Sequence, residues 1–286
     1  MKRYKELFAF PQVITLGISA FPARLAYGMI GLGIFFKAEQ ETGSVAIAGL
    51  AIGLNSLAGA LTAGIRGSVM DRWGQKWPLR ILVPAYTVLI LTLNVMETSR
   101  SILVTAFILG ITAPPINLSV RPLWKDIVPD SYLRTAYAFD SAMMSSTSVI
   151  GPVVVTSLAL SSRPYLALDV VAALMFIGGV ALALTPVSRN WIPEKKAKGQ
   201  GKLLMHPAMQ LLMFEGCFIG FGWGVFDVAV PAFATAEEVA HRVAWIFAAF
   251  GVATVVGGLL GGLVSKKLAP LPALRRAYFF WLITCI

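Results

Sequence analysis

The sequence predicts an all-α membrane protein: a six-helix bundle, a basic linker and part of a second bundle. Three observations carry this. Hydrophobic residues make up 57% of the 286 residues and charged residues 13%, with mean hydropathy +0.75; a soluble domain carries about 25% charged residues. Apolar stretches of about 20 residues, enough to cross a bilayer, recur along the whole chain. Lysine and arginine gather in alternate connections between them, as in the cytoplasmic loops of membrane proteins.

Eight such stretches are read, at 12–36, 45–65, 79–96, 102–124, 137–160, 164–185, 209–233 and 243–264, and a ninth begins near Ala277. The first follows MKRYKELFAF, which is basic and then apolar like a signal peptide. The apolar run is too long for a signal core and no small-residue cleavage site stands out, so it reads as a retained helix. Of the 24 Lys and Arg, 18 fall in connections on one side and only Lys37, Arg100, Arg163 and Arg242 on the other; Arg24 and Arg121 lie near or within stretches. This asymmetry puts the N-terminus in the cytoplasm. It also accounts for the net charge of +10 without nucleic acid as a partner.

The connection at 186–205 is the one long linker, with Pro193 and the flexible KAKGQGK. The expected division is therefore 1–185, a six-helix bundle; 186–205, a basic cytoplasmic linker; and 206–286, a partial second bundle. An internal echo supports two related halves. Pro11 and Pro207 stand 196 residues apart, with Tyr27-Gly28 and Trp223-Gly224 at the same offset, and the segments from Gly67 and Gly262 match at 195, with Lys266 in place of Asp71. Parallel repeats of about 195 residues need about 390 in all. About 100 residues are thus expected beyond Ile286, whether the sequence is a fragment or the gene is truncated.

Intramembrane charges are costly and are functional candidates by default. Arg24 lies about 18 Å into the first stretch. It is expected either to face a cavity or to serve as a structural ion pair. Glu215 and Asp227 lie in the seventh stretch and Asp140 in the fifth; Glu215 is read as a proton or cation carrier, differing from Arg24 by about 7.5 Å in depth. Both are expected to face the space between bundles. Asp169 is placed at the outer end of the sixth stretch, within reach of solvent. Gly49 with Gly53, Gly216 with Gly220 and Gly224, and the glycines at 257–262 recur every four positions and read as close-packing faces. Cys217 and Cys285 fall in apolar stretches and read as buried thiols. No Gly-Lys-Ser/Thr phosphate loop is present. His206 and His241 fall on opposite sides, so no metal pair forms, and serines in the fifth stretch lack a base. No enzyme activity and no cofactor are expected.

The segment GSVMDRWGQKWPLR, read as a short loop between the second and third stretches, carries Gly67, Asp71, Arg72, Gly74 and Lys76. Its Gly-x-x-x-Asp-Arg-x-Gly-x-Lys pattern resembles the signature loop between helices 2 and 3 of the major facilitator superfamily. Arg24 in FPARLAYGM, Arg121 in VRPLW and the Gly151-Pro152 dipeptide fit the same resemblance, to small bacterial exporter-like members. It implies a gating network of the Gly67 loop with Arg121, which also reads as a plain positive anchor. It implies antiporter character for the Gly151-Pro152 helix, although Val153 to Val155 stand where glycines usually follow. The function implied is secondary active efflux of a small organic molecule by alternating access, with protons as a coupling ion, in the bacterial inner membrane and in contact with lipid. The alternative is a truncated, non-transporting membrane remnant or interaction protein.

Overall fold

In the computed structural model, residues 2–193 and 205–263 are described, together with 275, 276, 278, 279 and 283. The basic core of the linker at 195–202, Lys266, Cys285 and the surroundings of the glycines at 257–262 lie outside them. The described residues form helices: α1 (Lys2–Phe8), α2 (Pro11–Thr42), α3 (Val45–Trp73), α4 (Lys76–Asn94), α5 (Ser99–Thr112), α6 (Ile116–Ile127), α7 (Asp130–Ala159), α8 (Leu166–Leu184), α9 (Pro186–Asn190), α10 (Pro207–Ala236) and α11 (Val243–Leu263). Seven spans are long and apolar enough to cross a membrane, with α5 and α6 together making the fourth.

Local chemistry sets the boundaries. Pro11 opens α2, where its missing N–H is no loss. Gly43, at φ 61°, closes it and donates its N–H to the Glu39 carbonyl. Ser44 and Thr98 cap α3 and α5 by accepting from the Ile47 and Ser101 amides. At 113–115 the sequence Ala-Pro-Pro removes two backbone donors, and the fourth span breaks into α5 and α6.

The segment expected as a loop at 67–80 is almost wholly helical. Gly67 lies inside α3, where a Cβ would meet nothing within 4 Å, so it makes no bend. Asp71 and Arg72 stand in the last turn of α3, Lys76 opens α4, and only Gly74 and Gln75 connect the two. No breaker interrupts residues 68–73, so the helix runs on until Gly74 adopts φ 74°.

α2 is the central element. Sixteen of its residues are buried, and it packs against α8, α7, α3 and α6. α3 packs on α5, α4 on α8, and α11 on α7. Among the described residues the tightest approaches to backbone fall at glycines outside the spaced series, while Gly49 would meet the Val228 side chain at 3.0 Å. A Cβ on Gly28 would lie 2.7 Å from the Thr147 carbonyl oxygen, and one on Gly151 would lie 2.8 Å from the Gly28 backbone. Gly216, Gly220 and Gly224 meet nothing within 4 Å, and α10 is largely exposed, with Phe214, Phe218 and Phe221 outward and Cys217 an exposed thiol.

Gly151→Leu should force α7 away from α2 and cost about 1–3 kcal/mol through overpacking. Unfolding of the purified variant in detergent reads this directly; unchanged stability would mean that the crossing has slack.

Candidate functional site

The site lies at mid-depth, where α2, α7, α3 and the break between α5 and α6 meet. Arg24 and Tyr27 stand three residues apart on α2, hence on one face, close to the helix midpoint. The Arg24 Nη1 donates to Asp140 Oδ1 of α7 at 2.7 Å, and the two side chains are only 3% and 1% exposed. Arg24 Nε and Nη2 are buried and have no partner among the described residues. An arginine and an aspartate this deep neutralise each other and tie α2 to α7.

One turn along, the Tyr27 hydroxyl donates to the Pro114 carbonyl, a group that the helix break exposes. The Tyr27 ring lies 6.0 Å from that of Tyr86, which α4 buries. Arg66 of α3 holds the other side of the break. Its Nη1 donates to the carbonyls of Ala113 at 2.7 Å and Gly110 at 3.1 Å, and its Nη2 to that of Gly59 at 2.6 Å. Tyr27, Arg66, Ala113 and Pro114 line a cavity of about 190 Å³, whose wall also includes Asn117.

The other candidates read from the sequence sit elsewhere. Glu215 is half-buried and Asp227 exposed on α10, and Arg24 pairs with Asp140, not with Glu215. The structural ion pair expected as one alternative for Arg24 is thus made with Asp140. Equating depth across the two repeats does not see a carboxylate on α7 that is already within reach. Asp169 is half-buried and accepts from the Asn94 amide at 2.8 Å. Arg121 is exposed and lies over the Tyr137 ring, 5.9 Å from its centre. Gly151 and Pro152 bring α7 onto α2 at Gly28, one turn from Arg24.

Three residues escape sequence reasoning. Arg66 counts with the connection after Ile65 by hydropathy, yet lies about 10 Å inside α3; extending the helix to Gly74 finds it. Tyr27 stands out in the sequence only as part of the repeat. Gln75 is fully buried in the α3–α4 turn, where its Nε2 donates to the Ser119 carbonyl at 2.9 Å and its Oε1 accepts from Ser188 of α9 at 3.1 Å. No local pattern announces that contact. Among the described residues no three His, Cys, Asp or Glu side chains cluster as metal ligands.

Asp140→Ala should leave Arg24 buried without its counter-charge and cost about 3–5 kcal/mol, whereas the double change Arg24→Met with Asp140→Leu should be near neutral. Denaturant titration in detergent micelles distinguishes the two; equal losses would show that the pair is held by packing alone.

The Major Facilitator Superfamily model matches residues 16–286. An uncharacterised MFS-type transporter, y4rN, of Sinorhizobium fredii (strain NBRC 101917 / NGR234) is 26% identical over 276 residues, covering 91% of this chain and 68% of that protein. A chain of apolar spans with a charged pair and a broken helix at mid-depth, matched over nearly its whole length, belongs to the major facilitator superfamily and is an integral membrane transporter.

Proposed function

We propose that the protein exports a small organic molecule by alternating access, with the Arg24–Asp140 pair as the charged element of its pathway. The carrying observation is that pair, buried at mid-depth beside a broken span. Discontinuous helices at the midplane are where such transporters hold their substrates. A proton reaching Asp140 neutralises it and releases Arg24, so the α2–α7 contact responds to a proton gradient. The division into 1–185, 186–205 and 206–286 supplies the two bodies that rock. The Gly67–Lys76 segment and Arg121 then stand at the cytoplasmic face of a bacterial inner membrane, as does the N-terminus, on the strength of the lysine and arginine bias.

Proteoliposomes holding the purified protein should carry one class from a panel of labelled organic acids, amines and neutral solutes, with saturable rates. Asp140→Asn should remove the response of that rate to an imposed proton gradient. No solute crossing faster than in protein-free vesicles would sink the transport reading for this chain; an unaltered gradient response would remove Asp140 from the coupling.

Orientation is checked independently. A membrane-impermeant thiol reagent should label Lys198→Cys only after cells are opened, with Cys217 and Cys285 replaced by serine. Labelling in intact cells would invert the topology.

A further inference from the structure

The cavity at the broken span carries a charge that the site's ion pair does not cancel. We propose that it binds a small organic anion, held at its carboxylate by Arg66. The proposal deepens the export reading, on which it rests, by naming the class of substrate.

Arg66 is half-buried and makes three hydrogen bonds, all to carbonyl oxygens. Carbonyl dipoles satisfy a guanidinium's donors but leave its charge in place. No carboxylate lies within ion-pair distance of it among the described residues, and Asp140 is committed to Arg24. The guanidinium reaches the carbonyls of residues 110 and 113, around the middle of the fourth span, Ser99–Ile127. A charge at that depth is expensive unless matched, and the cavity beside it gives a matching anion room.

The remaining walls agree in sign. Tyr27 and Asn117 bring neutral polar groups. α6 starts at Ile116, so its positive N-terminal end adjoins the cavity. No carboxylate is among the lining residues, which disfavours a cationic ligand. Arg24 is a separate charge, already paired. It stands one turn from Tyr27 on α2, and its Nη1 is taken by Asp140. Nε and Nη2, the donors left without a partner, are buried, and Arg24 is not among the residues that line the cavity.

Benzoate and its neutral amide, benzamide, separate charge from shape. Thermal unfolding of the purified full chain in detergent should shift upward with benzoate, saturably, at a concentration at least about tenfold lower than benzamide requires. Arg66→Gln keeps donors for the carbonyls but loses the charge, and should abolish the difference. Asn117→Phe fills the cavity without touching Arg66 and should abolish the benzoate shift. The proposal is overturned by the absence of a benzoate shift, by an equal response to both compounds, or by a benzoate preference that survives both substitutions. Should Arg66→Gln not fold, the ligand pair on the unaltered protein and the Asn117→Phe variant decide. Binding without transport would instead defeat the export reading and leave the anion site standing; transport without benzoate binding would do the reverse.

Discussion

A charge in the hydrocarbon core has no water to answer it, and among the described residues Arg24 and Arg66 lie within spans. Removing an ion from water costs several kcal/mol even after relaxation. Arg24 meets that cost with a carboxylate 2.7 Å away on another helix. The geometry of the central helices follows from keeping that distance. α2 and α7 have to approach closely near residues 24 and 140, and the glycines at 28 and 151 are what permit it. Larger residues at the crossing would separate the helices and with them the two charges. Packing and electrostatics at this point are one constraint, shared by four residues on two helices.

The second guanidinium is answered differently. Pro114 and Pro115 have no N–H to give the carbonyls of residues 110 and 111, and a membrane interior supplies no water in their place. Arg66 of α3 donates to the carbonyls of Gly110 and Ala113, and Tyr27 of α2 to that of Pro114. The break in the fourth span is thus held open as a defined shape by side chains of two other spans. At the end of α3 the same logic recurs without charge. Gln75, Ser119 and Ser188 are fully buried and join the α3–α4 turn to α6 and to α9, where the linker begins. A displacement of α9 is therefore felt at the turn that carries the family's signature residues, and through Ser119 in the half of the fourth span that follows the break.

Hydropathy makes the spans legible, because a bilayer demands about 20 apolar residues whatever else they do. Arg24 and Asp140 are legible as intramembrane charges, but their pairing is not, since 116 residues separate them in sequence. Arg66 is misplaced by the sequence because apolar run length is not helix length; α3 continues eight residues past Ile65, and the charge rides inside it. The glycine faces fail for a related reason. Four-residue spacing is common to glycines that meet a neighbour and glycines that do not. Gly28, Gly110, Gly151 and Gly178, all outside such a series, are among those with backbone against them. The break at 113–115 is written in two consecutive prolines, yet the span's continuous hydropathy conceals it.

The two positive groups also bear on how export would be driven. A carrier of cations needs a second ion to move its cargo out of a negatively charged interior, and Glu215 on α10 would be a natural place to seek that ion. An organic anion needs none. Each negative charge leaving gains about 2.3 kcal/mol per 100 mV of membrane potential. On the anion reading, the drive comes from the cargo's own charge, and the protein has only to make the midplane electrically acceptable to it. Arg66, positive and without a carboxylate in ion-pair distance among the described residues, would do that. On the same reading Asp140 would act as a gate, since it holds Arg24 through Nη1 and a proton there would alter helix contact and local charge together. The half-buried Glu215 and exposed Asp227 are not required by this scheme, which places the chemistry in α2, α3, α6 and α7.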